Sequence, residues 1–115
     1  MSTTKEHLAN FCIAGLSYYD AVDCFKKLKV GTKLRLELDE KNKYDARAVA
    51  IYYKKHKLGF IPRTENRIFF KLLRTFHEKS IVVKIQRISP NANPENQIHV
   101  MARLVGKPEI VTICD

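Results

Sequence analysis

The cleanest alternation in the chain runs from Thr32 to Leu38. There Leu34, Leu36 and Leu38 share one parity, and Lys33, Arg35 and Glu37 share the other. Successive side chains of an extended backbone point to opposite faces, so this pattern predicts a strand buried on one side and wet on the other. Ala48–Tyr53 (AVAIYY) and Leu58–Ile61 (LGFI) are rich in β-forming residues, and the basic run Lys54-Lys55-His56-Lys57 between them predicts a hairpin turn. Ser80–Ser89 and Gln97–Val105 predict two further strands around a loop, 90–96, that holds two prolines. Leu8–Leu16, apolar and interrupted by Gly15, predicts the first. A period of 3.6 replaces the period of two in two places. Ala21, Phe25 and Leu28 predict a short helix over 20–28 with Asp20 as its cap. Ile68, Phe69, Leu72, Leu73 and Phe76 predict a second helix, with Thr64 at its N-cap and Glu65 in its first turn. The order β-α-β-β-β-α-β-β predicts a mainly β (α+β) fold: a small antiparallel barrel of about six strands, closed or partly closed, with two helices flanking or plugging it. Closure would remove the edges that a small β protein must otherwise protect.

The chain has 115 residues, one domain's length, and neither an internal repeat nor a Gly/Ser linker divides it. The expectation is a single domain over 1–115 with its core at about 11–105. Hydrophobic residues at 45% and charged residues at 29% exclude a disordered tail, a coiled coil and a collagen-like repeat. Charge changes the picture more. The formal net charge is +9, and between residues 26 and 74 fifteen Lys or Arg face five Asp or Glu. The remainder is close to neutral, so the middle of the chain holds the whole surplus. Like charges gathered in one region repel, which points to an anionic partner, nucleic acid before membrane.

Most catalytic chemistry finds no support. Cys12, Cys24 and Cys114 form no C-x-x-C pair, and Cys12 and Cys24 read as small core hydrophobes; His7, His56, His77 and His99 are scattered, so no metal site is expected. No glycine-rich phosphate loop or nucleophile elbow is present, and no cofactor is expected. Asp39-Glu40-Lys41 matches the tail of a nuclease D-x-K pattern, but no second carboxylate sits on a suitable strand to share a magnesium ion. The chain reads as a binding module and not an enzyme. The polar N-terminus lacks a signal-peptide apolar region and no run approaches a membrane span, so a cytoplasmic protein without membrane contact is expected.

Four segments concentrate the remaining chemistry: Gly15-Leu16-Ser17-Tyr18-Tyr19, Gly31-Thr32-Lys33-Leu34-Arg35-Leu36, Asn42-Lys43-Tyr44-Asp45-Ala46-Arg47-Ala48-Val49 and Leu58-Gly59-Phe60-Ile61-Pro62-Arg63. Tyr18 and Tyr19 are neighbours, so in an extended backbone they face opposite ways and at least one faces out or lines a cleft. The alternative places one in the core and the other at the rim. Tyr44-Asp45 suits either a structural turn, in which Asp45 caps its own backbone, or a ligand loop. Arg63 suits either helix-entry surface charge or a phosphate contact beside a helix N-terminus.

In order and spacing these segments resemble the HIRAN domain. The resemblance implies an OB-like β-barrel that binds single-stranded DNA, with a free 3′ end as ligand. It implies that Tyr18 and Tyr19 stack on or wall in the terminal bases, and that Asn42, Tyr44 and Asp45 form the end-reading loop. Asp45 would accept a hydrogen bond from the 3′-hydroxyl, with backbone groups near Ala46 helping. Arg63, following Phe60 in the LGFIPR segment, would meet a phosphate. The chain departs from the family's helicase-linked members at Ser17, where they carry an arginine, and at Pro62, where they carry a lysine. The resulting expectation is a single-stranded DNA module that acts beside a nuclease or helicase in repair or replication-fork processing. An OB-like protein-interaction domain with a basic face, and a small metal-dependent nuclease, are its rivals.

Overall fold

The protein is described here from a computed structural model, whose described residues are 4–16, 24–76 and 80–106. Six antiparallel strands form one sheet: β1 (Thr4–Cys12), β2 (Lys33–Leu38), β3 (Val49–Tyr53), β4 (His56–Phe60), β5 (Ile81–Ile88) and β6 (Ile98–Gly106). Their order across the sheet is β1-β6-β5-β2-β3-β4. The expected alternation is present where the sequence is most regular. Leu34 and Leu36 of β2 are buried while Lys33 and Arg35 are exposed, and Ile81, Val83 and Ile85 of β5 point inward in step. With Ile98, Val100 and Ala102 of β6, and Val49 and Ile51 of β3, they build the core. The β3–β4 hairpin turns at Lys54-Lys55, where Lys54 adopts a left-handed φ of 54°.

One α-helix lies wholly within the described residues, α1 (Asn66–Thr75). It buries Asn66 and Phe69 and packs Phe69 edge-on against Phe11 of β1, ring centroids 5.6 Å apart. Its cap residue is Glu65, not Thr64, and no side chain caps it. Thr64 lies instead in a turn closed by the Glu65 amide donating to the Pro62 carbonyl at 2.8 Å. Of the helix expected over 20–28, residues 20–23 lie outside the described residues. Of the rest, Cys24 is helical and Phe25–Lys27 form a 3₁₀ turn, after which the Leu28 amide donates three residues back to Phe25 and the chain extends.

The expected barrel is also corrected. The sheet is open, with β1 and β4 at its edges, and these come together at one isolated bridge, in which Ala14 and Phe60 exchange two 2.8 Å backbone hydrogen bonds. The physical reason is length. β3 and β4 have five residues each, and the chain after Ile13 turns away at Gly15 (φ 70°), so the edges meet at a point and not along a ladder. Gly59 makes even this approach feasible. A Cβ there would overlap the Ala14 carbonyl oxygen and lie 2.7 Å from Ile13 Cγ2.

Cys24 is buried as expected, but Cys12 is only half-buried. Its Sγ lies 3.3 Å from His99 Nδ1, and Arg87 Nη2 lies 3.0 Å from His99 Nε2, so the three form a polar row across β1, β6 and β5. No helix among the described residues is long and apolar enough to cross a membrane.

Candidate nucleic-acid interface

The loop 39–48 joins β2 to β3 and is pinned at its base by the Asp39 amide donating to the Ala48 carbonyl at 3.0 Å. Inside it, Asn42 organises the backbone: its Oδ1 accepts from the Tyr44 amide at 2.8 Å and the Asp45 amide at 2.9 Å, and its Nδ2 donates to Asp39 Oδ2 at 3.2 Å. An asparagine can do this because its short amide side chain mimics a backbone turn. Asp39, the first residue of the nuclease-like triplet, also pairs with Lys57 at 3.6 Å, which gives it a structural part in the loop.

Asp45 is held from three sides. Its Oδ1 accepts from the Arg47 amide at 3.0 Å, the self-capping turn that the sequence allows. Its Oδ2 accepts from Asn66 Nδ2 at 2.8 Å and stands 3.7 Å from Arg63 Nε. Arg63 also donates from Nη2 to the Tyr44 carbonyl at 2.7 Å. The Asp45 side chain is 18% exposed and that of Arg63 70%, so the acid is fixed in a wall while most of the guanidinium faces water. Tyr44 is 86% exposed. This tightly bonded loop holds a phenol ring out in water and presents its flat face without a ring partner among the described residues.

These residues border one cavity of about 250 Å³. Asn42, Tyr44, Asp45, Phe60 and Arg63 all line it, with Ala14 and Gly15 closing the far side. Lys57 Nζ lies 4.7 Å from the centre of the Phe60 ring, adding a further cation beside the wall. Five of the eight residues singled out from sequence thus converge. Ala46 is exposed on the same loop but outside the cavity lining. Tyr18 and Tyr19, with Ser17 before them, lie outside the described residues.

Asn66 is the residue that sequence reasoning missed. It is 1% exposed, the first residue of α1, and its Oδ1 is buried without a hydrogen-bond partner among the described residues. The signal was present: Asn66 stands three positions before Phe69, on the buried face of the helical stripe, where a polar residue needs a polar neighbour. That neighbour is Asp45, 21 residues earlier.

Comparison with known proteins places this geometry. The HIRAN domain family matches residues 8–108. Among solved structures, a protein from Lactobacillus plantarum is similar with a TM-score of 0.74 at 21% identity, over 91% of this chain and 99% of that one. The HIRAN domain of human HLTF is similar with a TM-score of 0.65 at 15% identity, over 90% of this chain and 81% of that one. No curated protein sequence matches. At these identities the two structures speak for the fold alone, whereas the family match runs through the loop, the β4 turn and α1; the chain belongs to the HIRAN domain family.

Proposed function

We propose that this chain binds single-stranded DNA and seats a free 3′ end in the cavity between loop 39–48 and the turn after β4. HIRAN domains are DNA-binding modules, and membership of the family supports nucleic-acid binding here. The observation that carries the finer reading is the meeting of Tyr44, Asp45 and Arg63 on one small cavity. An exposed phenol offers a stacking face worth about 1–3 kcal/mol per base. A guanidinium 70% exposed offers a phosphate contact. The carboxylate selects between parts of the strand: it repels an internal or terminal phosphate, and it accepts from a hydroxyl.

Asp45 retains capacity for that bond. Each carboxylate oxygen has two acceptor positions, and Oδ1 takes one hydrogen bond, from the Arg47 amide. Tyr18 and Tyr19 belong to the same reading as further stacking residues, since Gly15 of the cavity wall precedes Tyr18 by three positions. In this reading the domain acts as an accessory, holding a strand end for a nuclease or helicase during repair or fork processing.

The test compares oligonucleotides of one sequence ending in a 3′-hydroxyl or a 3′-phosphate. The hydroxyl form should bind on the order of tenfold more tightly, the worth of one charge-assisted hydrogen bond. Tyr44→Ala should weaken the hydroxyl form by about 1–3 kcal/mol. Equal affinity for the two ends removes Asp45 from end reading and overturns the proposal.

A further inference from the structure

Helix α1 carries a row of cations of which only Arg74, in its last turn, suits the helix dipole. Arg67, Lys71 and Arg74 occupy positions i, i+4 and i+7, which places them on one stripe, and all three are exposed. The helix holds no acidic residue to pair with them. Arg67 and Lys71 are instead like charges one turn apart, a destabilising arrangement. Arg67 also sits in the first turn, near the positive end of the helix dipole, where an acid would be favoured.

The row is continuous with the cavity. Two shallow clefts run along α1 and share Lys71: Arg67, Ile68 and Lys71 line one, and Phe70, Lys71 and Arg74 line the other. The first cleft begins at Thr64, the residue after Arg63 of the cavity wall, and Glu65 beside it is the sole carboxylate lining either cleft. Arg74 lies over the Phe70 ring, 5.3 Å from its centre, so cation and aromatic surface are presented together.

We propose that α1 is a second contact surface for the same polynucleotide: the strand running 5′ from the terminal nucleotide lays its phosphates along Arg67, Lys71 and Arg74. This rests on the single-strand reading of the cavity, and it adds a site that reading does not contain. Charge complementarity selects the occupant. A single-sign row at regular spacing matches the repeating charge of a phosphodiester chain. From Arg67 to Arg74 the helix advances about 10 Å at 1.5 Å per residue. A stacked strand carries about three charges over that axial length, one per about 3.4 Å of its axis.

The experiment measures binding of a trinucleotide and a decanucleotide, both with free 3′-hydroxyls, to the full chain and to Arg67→Gln/Lys71→Gln/Arg74→Gln. Glutamine keeps helix propensity and removes charge, and circular dichroism checks the fold. The wild type should hold the longer strand at least tenfold more tightly. The triple variant should lose most of that gain, leave trinucleotide binding within about twofold, and flatten the slope of log affinity against log salt by about 2, from about 0.7 per phosphate. The single variant Lys71→Gln should flatten it by about 0.7. An unchanged slope and an unchanged length gain in the triple variant overturn the helix track. Equal competition by polyglutamate of the same charge also overturns it, in favour of an acidic protein partner. If the variant loses the length gain but the wild type does not distinguish 3′-hydroxyl from 3′-phosphate, the track stands and the end-reading cavity falls. If the wild type binds neither oligonucleotide, both fall.

Discussion

The molecule divides into two regions that solve different problems. β1, β6 and β5 have nine, nine and eight residues and pair along most of their length. β2, β3 and β4 have six, five and five, and with loop 39–48 and α1 they lie in the stretch 26–74 that holds the surplus positive charge. The long ladders supply cooperative hydrogen bonding and inward Ile and Val, while the short strands hold a charged surface whose members repel one another. The two are joined narrowly. β2 meets β5 through Lys33 opposite Lys84 and Leu34 opposite Val83, the first a like-charge pair. On the other side stands the Ala14–Phe60 bridge. The cavity lies at that second junction, lined by Ala14 and Gly15 from one region and by Phe60, Arg63 and loop 39–48 from the other. A concave site arises here because two parts of one open sheet approach without zipping together.

The contrast can be broken most severely at its shared core. Phe69 is fully buried and ties α1 to Phe11 of β1, so Phe69→Ala should cost about 3–5 kcal/mol. The denaturation midpoint should fall accordingly, and a loss below 1 kcal/mol would mean that the helix is not anchored across the two regions. Next comes the junction. Gly59→Ala forces a methyl group against the Ala14 backbone and Ile13, an overpacking worth about 1–3 kcal/mol. Hydrogen exchange in this variant should quicken at the Ala14 and Phe60 amides before it quickens in the β5–β6 ladder; uniform quickening would deny that the regions are separable. The smallest effect is expected at Asn66. Asn66→Ala removes a hydrogen bond to a carboxylate but also an orphaned buried oxygen, so the two terms offset and the net loss should be about 1 kcal/mol. It should shift the urea midpoint with an unchanged m-value, and a gain in stability would show that the orphaned oxygen outweighs the bond.

Much of the local structure was legible because periodicity reports which face of an element is buried. The alternation of Leu34 and Leu36 against Lys33 and Arg35 is a property of seven adjacent residues, and the stripe around Phe69 of about ten. The resemblance also picked out Asn42, Tyr44, Asp45 and Arg63, which do share one cavity. Periodicity does not report which strand lies alongside which. Thr64 has the side chain of a good cap, yet the turn closed by Pro62 starts the helix later. Cys12 stands in an apolar stretch of sequence that suits a core position, yet its strand partner is His99.

What the amino-acid order determined alone is the set of local preferences: six strand segments, an amphipathic stripe around Phe69, a basic middle and a polar loop whose Asp45 suits a self-capping turn. Each follows from interactions within a few residues, where chain connectivity already holds the partners close. The tertiary structure decided that β1 and β4 meet at one bridge and leave the sheet open, that Asn66 reaches Asp45, and that Arg63 braces Tyr44 from 19 residues away. Those pairings hang on the register and length of strands far apart in the chain, and so on the one global arrangement in which every buried face finds a partner.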